Sequence, residues 1–176
     1  MALVLIKEDG TGKPDANAYA SVADGDAYFE GHLYASAWMG ATADQKVAAL
    51  VMATRLIDSQ TQFRGTRAKA EQALQWPREG CPDLDAGRWS GGVVASDAVP
   101  PGVVNATCEM GRELLILDRT AAPPGEGLKY ENVGPNQTGY SKTDVRPILS
   151  HVAQAMLAKY GVQVRSKSGA VPMVRT

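Results

Sequence analysis

Cysteine and histidine are scarce in this chain: Cys81 and Cys108, His32 and His151 are all there are in 176 residues. Two distant cysteines make neither a disulfide framework nor a redox or metal pair, which fits a reducing compartment. The histidines stand alone, outside any HExxH or ligand-type spacing, so no metal centre is indicated. No segment approaches the roughly 18 apolar residues that a membrane-spanning helix needs. The apolar start Ala2–Ile6 is cut off at once by Lys7-Glu8-Asp9, which is too short for the core of a secretory signal. Neither sign of charge dominates. The net charge is −1, so nothing global announces a nucleic-acid or membrane partner. Asn105-Ala106-Thr107 and Asn136-Gln137-Thr138 have the form of glycosylation sequons, which carry no meaning without export.

Catalytic signatures are also missing. Gly10-Thr11-Gly12-Lys13 has the look of a phosphate loop, but a Walker A loop needs a Gly where Lys7 stands and a Ser or Thr where Pro14 stands. Asp24, Asp26 and Glu30 lie together on a predicted helix, the usual place for a solvated, dipole-favoured acidic turn. No Ser sits in a Gly-x-Ser-x-Gly elbow. The chain is expected to be neither an enzyme nor a cofactor carrier.

What is present is a helical grammar. Ser21 with Asp24, and Thr42 with Gln45, have capping-box spacing. The first predicts a helix ending near Gly31–Ala35; the second predicts one running to about Ser59. Ala68–Gln75 is helix-prone and stopped by Pro77. Gly80–Pro100 reads as a loop that Trp89 pins. Pro100-Pro101 opens a third long helix in which Val103, Thr107, Met110, Leu114 and Leu117 make one stripe. Leu128–Val133 and Gln137–Lys142 flank Gly134-Pro135-Asn136 and predict a β-hairpin near 128–142, with Tyr130 and Tyr140 facing across it. Thr143 or Asp144 is expected to cap a last helix with Pro147 in its first turn, stopped by Gly161. The predicted fold is mainly α: a helical bundle with one small β-hairpin and extended N- and C-terminal arms. Its parts are a strand or loop over 1–20, a helical domain over 21–160 and an arm over 161–176.

Charge is unevenly placed along the chain. Residues 1–60 hold eight acidic and four basic side chains, whereas from Val145 to Thr176 there is no Asp or Glu. The arm carries Arg165, Lys167 and Arg175 among Val171, Met173 and Val174, and these six are the candidate partner interface. The plain reading is a solvated tail; the functional one is an arm that docks on a partner or faces DNA. Trp76-Pro77-Arg78 likewise admits two readings. In one, Trp76 seals the core at a sharp turn and Arg78 satisfies carbonyls or an acid. In the other, the indole is a base-stacking platform, with Arg64, Arg67, Lys69 and Arg78 following a DNA backbone.

An ordered set of segments carries a resemblance. Asp9-Gly10-Thr11-Gly12 leads through Asn17 and Tyr19 to Ser21-Val22 and Asp26-Ala27-Tyr28-Phe29. Ala73-Leu74-Gln75-Trp76-Pro77-Arg78 and Glu131-Asn132-Val133-Gly134-Pro135 follow. From about Glu8 to Tyr160 the chain resembles the head–tail connector (adaptor) proteins of tailed bacteriophages, a group often labelled DnaT-like single-stranded DNA-binding protein. The resemblance implies a structural virion protein of the neck, made in the host cytoplasm and placed at the head–tail junction. It implies a ring, dodecameric like the portal, that joins portal to tail and takes part in genome packaging and ejection. Its partners would be the portal protein, tail or other neck proteins, its own copies, and double-stranded DNA passing through the lumen without sequence specificity; no membrane is involved. The Gly87–Gly92 loop and the Val162–Thr176 tail depart from the family pattern. The alternative is a single-stranded DNA-binding replication accessory protein.

Overall fold

Two capping boxes organise the N-terminal half. In the computed structural model, which describes residues 3–86, 92–121, 130–133, 136–139 and 146–164, Ser21 and Asp24 exchange hydrogen bonds at the start of α1 (Val22–Phe29). Thr42 and Gln45 do the same at α3 (Ala43–Gln60). Each pair satisfies amide groups that a helix start leaves without intrahelical partners. Between them lies a single turn, α2 (Ser36–Met39). Helix α4 (Pro101–Ile116) begins with Pro at its first position, where the missing N–H costs nothing.

The α3–α4 pair is the centre of the molecule, with α1 and α2 against α4 and α5 (His151–Leu157) also packed on α4. Helix α4 separates two apolar clusters. Val103, Ala106 and Met110 join Trp76, Tyr19 and Leu157 in the larger one, while Cys108 joins Trp38, Phe29 and Leu50 in the smaller. Gly25, inside α1, is required by Trp38: a Cβ there would come within 2.4 Å of the indole ring.

Strands are short and paired in twos. β1 (Thr61–Phe63) pairs antiparallel with β6 (Gly161–Gln163), β2 (Thr66–Arg67) with β3 (Arg78–Glu79), and β4 (Tyr130–Val133) with β5 (Asn136–Gly139). The expected bundle with one hairpin is therefore a helix-dominated mixed fold with three two-stranded sheets among the described residues. The hairpin falls inside 128–142, but Tyr130 faces Gly139; Tyr140 lies outside the described residues, as do Trp89, Thr143 and Asp144.

Four expectations are corrected. The 68–75 segment is not a helix. Gln72 takes the Lys69 N–H on its amide oxygen and donates to the Leu74 and Pro77 carbonyls, a local side-chain bonding that competes with helical backbone. The last helix starts at His151, capped by Ser150. Arg119 holds the Pro147 and Ile148 carbonyls at 2.8 Å each, so that turn stays out of the helix. The N-terminal stretch is no extended arm: it loops round to set Ala18 parallel to Lys7 in a bridge and buries Glu8, Ala16, Ala18, Tyr19 and Ala20. At the other end, Gly161 opens a strand rather than an arm.

Candidate nucleic-acid interface

The Trp76 turn is the place to ask whether a base could stack. β1 brings Phe63 to it and the chain after α5 brings Tyr160. Both rings meet the indole edge-on, at centroid distances of 5.7 and 5.8 Å. Trp76 is fully buried in the larger cluster, and its Nε1 has no hydrogen-bond partner among the described residues. The Trp76–Pro77 peptide is cis. Beneath the turn, the Tyr19 hydroxyl donates to Asp58 at 2.5 Å and accepts the Gln75 and Trp76 N–H groups. Asp58 takes the same Gln75 N–H on its other oxygen at 3.1 Å. Burial pushes the Asp58 carboxyl up to about 6, against the hydrogen bonds from Tyr19 and Gln75. Burial and the neighbouring Asp58 raise the Tyr19 hydroxyl well above its ordinary value.

Arg78 is spent on backbone. Its Nε donates to the Arg64 carbonyl at 2.8 Å, its Nη1 to Gln75, and its Nη2 to the Gly65 carbonyl at 2.6 Å and the Phe63 carbonyl at 3.4 Å. Burial also lowers its pKa. A stacking platform needs an open ring face and free donors beside it. This turn offers no open ring face and its own arginine is engaged, so the geometry is that of a sealed corner.

The Gly10–Lys13 loop is an anion nest that is already filled. The buried Glu8 carboxylate accepts the Gly10 and Gly12 N–H groups on Oε1 at 2.9 and 2.8 Å, and the Lys13 N–H on Oε2 at 2.8 Å. Gly10 and Gly12 have φ of 101° and 70°, which glycine adopts without steric cost. A phosphate would have to displace the chain's own carboxylate.

The chain matches the family model described as "Putative DnaT-like ssDNA binding protein" over residues 1–176. It belongs to that family. No curated protein and no solved structure matches it.

Among the described residues, the basic side chains exposed at the surface are Arg55, Arg67, Lys69 and Arg146, with Arg64 half-buried and donating to the Lys159 carbonyl. Glu71 and Glu79 are exposed among them. Lys159 itself pairs with Asp85 at 2.5 Å. The candidate interface residues Arg165, Lys167, Val171, Met173, Val174 and Arg175 lie outside the described residues. Tyr34 is the exposed aromatic among side chains the structure describes, and it stands between α1 and α2.

The helix-1 carboxylates are occupied. Asp24 completes its capping box and meets Lys7 at 2.7 Å, and Asp26 receives the Trp38 indole N–H at 2.8 Å and Lys46 at 2.7 Å. One cluster has no warning in the sequence reading: buried Glu109, reached by the Tyr28 hydroxyl at 3.1 Å, His32 at 3.4 Å and Arg112 at 3.1 Å. Arg112 passes the chain on to Glu113, and Glu113 to Arg119. The Glu109/Arg112 spacing was its only signal. His32 joins from a loop that no periodicity places.

Proposed function

We propose that this protein binds single-stranded DNA as a non-catalytic accessory protein, holding the strand through phosphate contacts rather than by stacking bases on the Trp76 turn. The observation that carries this reading is the family match along the whole chain. The burial of Trp76 and the engagement of Arg78 narrow how contact is made. Exposed Arg55, Arg67 and Lys69, together with Arg165, Lys167 and Arg175 of the tail, are the cations assigned to it. Phosphate contact releases counterions, so affinity for an oligothymidine should fall steeply with salt, by a log–log slope of roughly −0.7 per phosphate neutralised. Arg67→Gln/Lys69→Gln should flatten that slope, and Trp76→Phe should leave it unchanged. Oligonucleotide binding absent even at low salt would end this reading.

A second reading has its own observation. Leu33, Tyr34 and Met39 are 91%, 77% and 67% exposed on the α1–α2 corner. Large apolar side chains exposed together on one corner suit a protein partner better than DNA. Here the protein is a virion component of the phage neck, a ring between portal and tail around the DNA passage. Mass photometry and negative-stain images decide between the two. Closed rings, or capture by a portal protein, favour the neck; a monomer that coats oligonucleotide favours the accessory role.

A further inference from the structure

The surface grooves of the molecule differ in charge. One of about 730 Å³ beside α4 and α5 holds Asp83 and Asp85. Another, against the Gly10 loop, sets Glu79 and Asp97 beside Lys69, and a third, at β1, holds Asp58. The groove between α5 and β6, of about 780 Å³, is the exception: among the described residues no carboxylate lines it. Its polar side chains are Arg64, His151, Gln154 and Gln163. The rest of its lining is Ala155, Ala158, Gly161 and Val162. In a chain with 19 acidic and 18 basic side chains, a wall free of carboxylates around an arginine makes a locally positive field. Arg64 is also held in place. Its backbone N–H bonds the Tyr160 carbonyl, and its Nη1 donates to the Lys159 carbonyl at 2.8 Å. Its Nε and Nη2 meet no acceptor among the described residues. The Lys159 ammonium is drawn away to Asp85, on the wall of the neighbouring groove.

We propose that the α5–β6 groove seats the phosphodiester backbone of single-stranded DNA, with Arg64 and His151 donating to the phosphate oxygens. The inference rests on the DNA-binding function proposed above and adds to it a place and two residues. Nε and Nη2 share one edge of a guanidinium, so both can meet a single phosphate while Nη1 stays on the Lys159 carbonyl. An imidazole has an N–H to donate whether it is neutral or protonated. Gln154 and Gln163 are uncharged and do not repel the strand. The groove's volume falls within the roughly 300–1,000 Å³ that ligand sites occupy, room for a short stretch of single strand. No aromatic side chain is among its lining residues, so base stacking has no platform there and the seat is indifferent to sequence. The match to a single-stranded DNA-binding family favours nucleic acid over an acidic peptide, the other polyanion that these charges suit.

Fluorescence anisotropy of a labelled oligothymidine tests it on the full chain. Arg64→Gln/His151→Gln should weaken binding about ten-fold at low salt and flatten the log–log salt slope by roughly 0.7, the value of one phosphate contact. Ala158 is exposed and lines this groove. Ala158→Glu sets a carboxylate in it and should weaken binding as much, with little change in melting temperature. Lys159→Gln, beside Asp85 on the neighbouring groove, should stay within about two-fold of the parent, as a screened surface charge does. Parent-like affinity in both groove variants, with the parent binding the oligonucleotide, would overturn this inference and leave the DNA-binding function standing. A parent that binds no oligonucleotide at low salt would end both. Competition by oligoglutamate equal to that by unlabelled oligothymidine would give the groove to an acidic peptide and overturn the proposal as well.

Discussion

Glu8 and Arg78 are buried charged side chains of opposite sign that do the same work on opposite backbone groups. Glu8 gathers three amide N–H groups from the Gly10–Lys13 loop. Arg78 gathers carbonyls of Phe63, Arg64, Gly65 and Gln75. In both cases an irregular loop that cannot satisfy its backbone by helix or sheet is satisfied by one side chain. They differ in what lies beneath. Arg78 closes a turn whose Trp76 fills the larger apolar cluster. The Glu8 loop instead rests on backbone: a Cβ on Gly10 would come within 2.0 Å of the Asp97 carbonyl oxygen. The sites most suggestive of ligand chemistry, a Gly-rich loop and an arginine beside tryptophan, are both turned inward and serve the fold.

The largest test of that difference is Trp76→Ala. Removing a buried indole should cost about 3–5 kcal/mol through lost transfer energy and the cavity left behind. Chemical denaturation measures it, and an unchanged midpoint would mean the ring is not part of the core. Arg78→Met comes next. It keeps much of the side-chain length and leaves several carbonyls without donors, for an expected loss of roughly 2–4 kcal/mol; a smaller loss than that of Glu8→Gln would reverse the comparison. Glu8→Gln retains one oxygen for Gly10 and Gly12 but sets an amide against the Lys13 N–H, and should cost about 1–2 kcal/mol. If its midpoint does not move, the nest is not held by the carboxylate.

The smallest effect is a slope. Burial lifts Asp58 from 3.8 to about 6 in the folded protein, so between those values the folded state binds more protons than the unfolded one. The associated stability is complete below about pH 4 and is lost as pH rises through about 6. Asp58→Asn cannot titrate, and its melting temperature should fall less over that interval than the parent's. Parallel curves for the two proteins would place the titration elsewhere.

Much of the helical framework was legible because its signals are local. Ser21/Asp24 and Thr42/Gln45 each join groups three residues apart, and Pro101 sets its own backbone angle. The candidate site was less legible. The stacking and sealing readings of Trp76 use the same three residues, and only burial separates them. The start of α5 was misplaced because Arg119, 28 residues before Pro147, takes the carbonyls that a helix there would have used. Ala68–Gln75 looked helical by propensity, yet Gln72 bonds to its own neighbours.

The sequence by itself determined where helices begin, since caps and prolines act within one turn of chain. It also determined that one end is acidic and the other basic. Only the tertiary structure decided that Thr61–Phe63 would pair with Gly161–Gln163, that Glu8 would fill its own glycine loop, and that Trp76 would face inward. Strands of two or three residues are too short to carry a period. Their pairing is settled by which segments the packed α3, α4 and α5 leave side by side, and that is information no single stretch of the chain contains.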